Sequence, residues 1–173
     1  MATDIRKLTN ANVYFDGVNY AGKAKEVNLP DVTSKQAEHN ALGMFGIINT
    51  PTGIEAMELE MMWTSILPDV KKKCADIYTS YSFQVRSSLE EYTSAGRTSQ
   101  SAYVADFRGR PMNIPGGSFK QHENVEATTK FKIDYFRLEI GGEEIYKIDV
   151  LNNIYEVDGV DKLATYRANL GLS

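Results

Sequence analysis

The sequence predicts a mainly β fold: an antiparallel β-barrel or sandwich with one flanking helix and a short C-terminal helix. Three observations point there. Apolar residues recur with period two along most of the chain, the pattern of half-buried strands. Asp16-Gly17 and Gly141-Gly142 sit between such stretches at hairpin spacing. Only two stretches carry apolar residues at helical spacing. The length of 173 residues, free of repeats and linker-like tracts, suits one domain spanning 1–173.

In chain order, Asn12 to Phe15 and Val18 to Tyr20 flank the Asp16-Gly17 turn. Lys23 to Leu29 reads as a strand ended by Pro30, and Asp31 to Asn40 as a polar extended one. Ala41 to Thr52, rich in Gly, Met, Phe and Ile, reads as a loop. Met57, Leu59, Met61 and Trp63 then alternate with Glu58 and Glu60. Pro68 and Asp69 suit a first helical turn, with Val70, Cys74 and Ile77 as its apolar stripe. Tyr81 to Glu90 and, more weakly, Ser101 to Phe107 return to strand alternation. After Gly141-Gly142 come a return strand from Glu143 to Val150 and a short one from Ile154 to Val157. A second helix is expected after Asp158-Gly159, with Val160, Leu163, Ala164 and Leu170 on one side and Gly171 as its stop. Helices of roughly 10–12 residues cannot stand alone in water, so both are expected to dock on a sheet.

Val125 to Ile140 is the most informative stretch. Odd positions through Tyr135 are apolar or neutral; afterwards Phe136, Leu138 and Ile140 take over. A strand cannot exchange its faces without an extra residue, so a bulge is expected near Tyr135-Phe136. At about 3.3 Å per residue the stretch spans about 50 Å. Its far end is expected to project from the subunit and to be covered by another one.

Composition excludes several classes. Hydrophobic residues make up 42% and charged residues 24%, values of a folded globular chain. Apolar runs are too short for a membrane-spanning helix, and Met1 to Lys7 has no apolar stretch of a secretory leader. Cys74 is the only cysteine, which fits folding in a reducing compartment. The net charge of −4 and the lack of a basic stripe argue against a protein that grips nucleic acid. His39 and His122 lie far apart in polar surroundings, so no metal site is expected, and Cys74 suits a core position. Lys71-Lys72-Lys73 suits a wet helix face, and Arg108 and Arg110 lack the glycine-rich loop of a phosphate site. No cofactor and no enzyme activity are expected.

Both ends of the chain carry a resemblance. At the C-terminal end stand Tyr135-Phe136-Arg137-Leu138, Ile148-Asp149-Val150-Leu151-Asn152-Asn153-Ile154 and Val157-Asp158-Gly159-Val160-Asp161-Lys162-Leu163, then Arg167 and Asn169-Leu170-Gly171-Leu172. At the N-terminal end stand Leu8, Asn10, Asn12, Phe15-Asp16-Gly17, Tyr20, Gly22, Val27-Asn28-Leu29-Pro30 and Lys35. On these residues the chain resembles the major tail tube proteins of contractile-tailed bacteriophages and the related tubes of contractile bacteriocins. Ser87 to Gln121 matches least.

The resemblance implies long strands shared in a hexameric ring, with rings stacked into a hollow tube inside a contractile sheath. It implies a virion component, assembled in the host cytoplasm, that meets the sheath protein, tape-measure protein, baseplate and tail terminator. Phage DNA would pass through the lumen without specific binding, and the assembled tube would pierce the host envelope. A bacteriocin or secretion-type tube without genome is the alternative within this architecture. A free β-sandwich binding module is the alternative outside it.

For a tube, the polar strand positions Glu58, Glu60, Glu126, Lys130, Lys132 and Asp134 are candidates for the lumen lining, the outer surface being the alternative for each. A neutral to acidic wall suits transit, because fixed positive charges would hold the phosphates and slow it. Leu42, Met44, Phe45, Ile47 and Ile48, with Leu170 and Leu172 near the C-terminus, are candidates for contacts between subunits or rings, a core-packing loop being the alternative for the first five.

Overall fold

The computed structural model describes Asp4–Leu172. β1 (Ile5–Phe15) turns at Asp16-Gly17 into the short β2 (Val18–Asn19). Both turn residues have positive φ, 53° and 76°, as a tight turn twisted to match its strands requires. β3 (Ala24–Asn28) follows, then β4 (Ser34–His39) and β5 (Ile48–Ile54), which pair only with each other. β6 (Met57–Trp63) leads to α1 (Pro68–Ala75). The long strands β7 (Tyr81–Thr93), β8 (Gly96–Pro111) and β9 (Ala127–Ile140) come next. β10 (Glu143–Asp149), β11 (Ile154–Val157), β12 (Val160–Asp161) and α2 (Ala164–Asn169) complete the chain.

Ten strands form one antiparallel sheet in the order β12-β11-β10-β9-β8-β7-β1-β2, with β6 and β3 branching from β9. The branch follows from β9 being longer than any one partner. On one edge it pairs with β6 from Ala127 to Ile133 and with β10 from Tyr135 to Ile140, while β8 occupies the other edge from Phe131 onward. The β6 branch curls over so that Phe15 of β1 meets Phe131 of β9 edge-on at 5.6 Å between ring centroids. Phe83 and Phe131 are 4.4 Å apart, and Tyr20 packs edge-on against Trp63 at 5.4 Å. Each such ring contributes about 1.5–3 kcal/mol by leaving water. α1 closes this barrel with Val70 and Cys74, both buried.

Alternation placed the faces well. Met57, Leu59, Met61 and Trp63 are buried, as are Phe83, Val85 and Phe107. The expected bulge lies at Asp134. On β8, Arg108 and Gly109 are adjacent, but their partners on β9 are Tyr135 and Ile133, so Asp134 is the extra residue. Phe131 and Ile133 before it and Phe136 and Leu138 after it are all buried.

Four expectations change. The ribbon that projects is not the far end of β9 but the β7–β8 hairpin, which continues past the end of β9, where Tyr103 pairs with Ile140. Pairing with β7 through backbone hydrogen bonds extends β8 through Thr98-Ser99-Gln100, where no side-chain pattern marks a strand. Ile77 is exposed and lies past the end of α1. There the Asp76 carboxylate accepts hydrogen bonds from the backbone N–H of Tyr78 and the hydroxyl of Thr79, which turns the chain. The loop expected over Ala41 to Thr52 is strand from Ile48 onward. Finally, Val160 belongs to β12, and α2 has six residues with none buried, so it does not dock as expected.

Candidate functional site

Two surfaces remain once the core is accounted for: the polar face of the large sheet and the β4–β5 hairpin. The polar face is ordered by register. Gln84, Asp106, Arg137, Lys147, Glu156 and Asp161 stand opposite one another across six strands, β7 to β12 by way of β8, β9, β10 and β11. Gln84 Nε2 donates to Asp106 Oδ1 at 2.7 Å, and Arg137 Nη2 donates to Asp106 Oδ2 at 2.8 Å. Lys147 Nζ reaches Glu156 at 2.6 Å, and Arg167 Nη2 reaches Asp161 at 2.5 Å. The Asp106 hydrogen bond raises the Arg137 pKa, and that of Glu156 raises Lys147. Charges so paired are held in place, because either partner is costly to neutralise beside the other.

Five of the six lumen candidates lie on or beside this face. Glu58 stands opposite Lys132 and Glu60 opposite Lys130, with an ion pair in each case, Lys130 Nζ to Glu60 Oε2 at 3.0 Å. Hydrogen bonding from Lys132 lowers the Glu58 pKa, and donation to Glu60 raises that of Lys130. These four residues point away from the core that their neighbours Leu59, Met61 and Phe131 fill. The bulge keeps them continuous with Tyr135, Arg137 and Glu139, because it reverses the parity of β9 along with its faces. Glu126 stands apart, paired with Lys25 of β3 at 2.5 Å. Asp134 accepts from Arg108, whose Nη2 also reaches Asp149 at 3.3 Å. Burial disfavours charge on Asp149, yet Asn152 and Arg108 outweigh it and hold the carboxyl below its ordinary range. Arg86 and Arg110 make none of these pairs.

The Gln84 to Asp161 row is the part that sequence reasoning missed. Its residues are ordinary polar positions until register is known, and the tight turns at Ser94-Ala95 and Gly141-Gly142 are the signals that set two of its five pairings.

The hairpin is the opposite kind of surface. Every residue from Thr33 to Gly53 is exposed. Leu42 and Phe45 at its tip are as open as in an extended chain, at 105% and 110% relative exposure. Ile47, Ile48 and Met44 beside them are exposed as well, so all five hairpin candidates share one uncovered element. Leu170 and Leu172 are exposed too, at the end of α2. A groove of about 730 Å³ separates the base of the hairpin from α2, lined by Val32, Ile54, Ile148, Ile154, Leu163 and Tyr166. At the sheet edge, β1 from Ile5 to Asn12 has β7 on one side and no strand on the other among the described residues.

His39 and His122 are exposed, and among the described residues no group of three His, Cys, Asp or Glu is placed to hold a metal ion. Burial pushes the Cys74 thiol up to about 11, the opposite of what a nucleophile requires. Among the described residues no helix is long and apolar enough to cross a membrane.

The family model described as phage tail tube protein FII matches residues 5–171. The tail tube protein of Escherichia phage P2 is 33% identical over 171 residues, covering 96% of this chain and 98% of the relative. The major tail tube protein of Serratia phage KSP20 is 30% identical over 156 residues, covering 89% and 88%. Among solved structures, a chain of the sheath–tube complex of an extracellular contractile injection system (PVC, extended state) superposes with a TM-score of 0.56 at 11% identity. It covers 75% of this chain and 87% of that one. A chain of the sheath/tube terminator of the same system gives 0.53 at 11% identity, covering 75% and 92%.

Proposed function

Because the chain belongs to the phage tail tube protein family, and is thus a structural, non-enzymatic part of the virion, we propose that its copies close into hexameric rings that stack into the conduit for DNA ejection. One observation carries this reading: among the described residues of its own subunit, none covers the β4–β5 hairpin. An isolated two-stranded hairpin is marginal in water, and one tipped with bare Leu and Phe is an aggregation hazard unless a partner covers it. A ring of copies supplies the partner. The hairpin and the Leu170–Leu172 end then contact neighbouring copies, within or between rings. The free edge of β1 pairs with the sheet of the next subunit, which removes the unpaired backbone groups that an exposed edge presents.

The polar face lines the bore in this arrangement. Most of its cations already hold a carboxylate, so few are left to retain phosphates and the wall lets DNA slide. The complexes named for the fold relatives support a sheath around the tube and a terminator at one end, and the resemblance adds a baseplate at the other end and a tape-measure protein inside.

Size-exclusion chromatography and negative-stain electron microscopy of the purified chain test the reading. Rings or tubes of uniform diameter are expected. A compact monomer at high concentration, with no rings in the presence of a purified baseplate, overturns it. Packaged DNA in the native particle separates a phage tail from a genome-free injection device.

A further inference from the structure

The point where β9 exchanges β6 for β10 is built with unusual care. Asp134, the bulge residue, is the one position of β9 between those two partners, and its carbonyl accepts the N–H of Val150 at 2.9 Å, just past the end of β10. Opposite stands Gly109, where a Cβ would overlap the Lys132 carbonyl oxygen and press within 2.8 Å of Ile133 Cδ1. Only glycine lets β8 approach this closely. The residue before it, Arg108, reaches both partners of the branch. Its Nε donates to Asp134 Oδ1 at 3.4 Å and its Nη2 to Asp149 Oδ2 at 3.3 Å, while its guanidinium lies 5.3 Å from the centroid of the Tyr135 ring. Asp149 is the last residue of β10, is only 6% exposed, and is fixed in turn by the N–H and side-chain amide of Asn152.

One side chain on β8 therefore bonds to the bulge of β9 and to the end of β10. It sits where the wing (β10, β11, β12 and α2) leaves the barrel. From this geometry we infer that Arg108 is a positioning residue for ring closure: its fork sets the angle between wing and barrel. The inference rests on the tube reading above. If the free edge of β1 in one copy meets the wing of the next, each subunit contributes a fixed rotation between its two joining edges. A head-to-tail interface of this kind makes a ring when the rotation closes and an open helix when it does not. The branch is the internal joint through which that rotation can drift. A planar guanidinium with two donors aimed at two carboxylates restrains it in a way that a single flexible ammonium cannot.

The test uses the full-length chain with Arg108→Gln and Arg108→Lys. Circular dichroism confirms that each variant folds, hydrogen exchange reports the wing, and electron microscopy reports ring symmetry. In Arg108→Gln, amides of β10 and β11 are expected to exchange about tenfold faster, the change that follows from losing the charge-assisted bond to Asp149 at the end of β10, while β6 amides stay as they were. Its polymers are expected to be open spirals or rings of mixed diameter. Arg108→Lys, which keeps the charge without the fork, should fall between; if Arg108→Gln fails to fold, Arg108→Lys alone decides by its spread of ring diameters. Variant rings with the diameter and symmetry of wild type overturn the inference even where melting temperature falls. A wild-type chain that forms no rings overturns the tube reading and this inference with it, whereas wild-type rings with unchanged variants overturn the inference alone.

Discussion

The barrel and the β4–β5 hairpin are both built from strands, yet they solve opposite problems. In the barrel, Phe15, Leu59, Met61 and Phe131 lose all contact with water and α1 seals the end. The hairpin carries apolar side chains of the same kinds, and its Leu42 and Phe45 are fully exposed. The first region is completed by its own chain, whereas in the proposed ring the second is completed by another copy. Mutations should therefore divide cleanly: barrel changes alter the stability of the subunit, and hairpin changes alter assembly.

The largest effect should come from Phe131→Ala, which empties the space between Phe15 and Phe83 and is expected to cost about 3–5 kcal/mol in chemical denaturation. Phe45→Ser, in contrast, is expected to leave the unfolding free energy of the isolated subunit within about 0.5 kcal/mol of wild type and to abolish rings and tubes in micrographs. A hairpin variant that melts early yet assembles normally would break the comparison. A smaller cost is expected for Thr129→Val. Thr129 Oγ1 accepts the indole N–H of Trp63 at 2.9 Å inside the core, so the change strands a buried donor at a cost of about 1–3 kcal/mol. Fluorescence of Trp63, the sole tryptophan, reports that loss directly.

How much of this was legible in the residues follows the same division. The core faces, the tight turns and the bulge are local patterns, and Met57 to Trp63 or the parity change across Asp134 display them without help. Strand β5 was not legible, because Pro51 and Gly53 read as breakers; an exposed edge hairpin tolerates both. The second helix was read too long because Val160 is drawn into β12 and the Asp161 carboxylate accepts the Leu163 N–H, so helix starts only at Ala164. The polar face depends on pairings between residues far apart in the chain, such as Glu58 with Lys132, and no local pattern fixes those. The exposure of Leu42 to Ile48 was anticipated from their composition, whereas the Arg108 branch required the register of three strands.

Acid should loosen the wing and the projecting ribbon before the barrel. Hydrogen bonding from Tyr92, helped by Gln100 and Arg97, holds the Glu90 carboxyl on the β7–β8 ribbon below its ordinary value, and Arg167 does the same for Asp161 in the wing. A lowered folded-state value means that these carboxylates stabilise the fold fully above the ordinary carboxylate range of about pH 4. That stability is lost as pH falls through the lowered values. Hydrogen exchange followed from pH 5 downward should show Glu90 and Asp161 neighbours opening first while Phe131 and Leu59 amides stay protected. Simultaneous opening everywhere would contradict the division between regions.

The smallest effect on stability, and the most specific to the bore, is expected from Glu58→Gln with Glu60→Gln. Both carboxylates face water in exposed or half-exposed pairs, and such pairs contribute little to folding, so the melting temperature should not move measurably. The change nevertheless frees Lys130 and Lys132 on every copy, and in a ring those cations form a repeating belt. If the polar face lines the bore, DNA should then be retained: ejection from assembled particles slows, and added salt restores the rate because screening weakens the grip on phosphates. If the face lies outside, under the sheath, ejection keeps its wild-type rate and only sheath assembly changes. The same pair of substitutions thus decides which side of the wall the Glu58–Lys132 and Glu60–Lys130 pairs occupy.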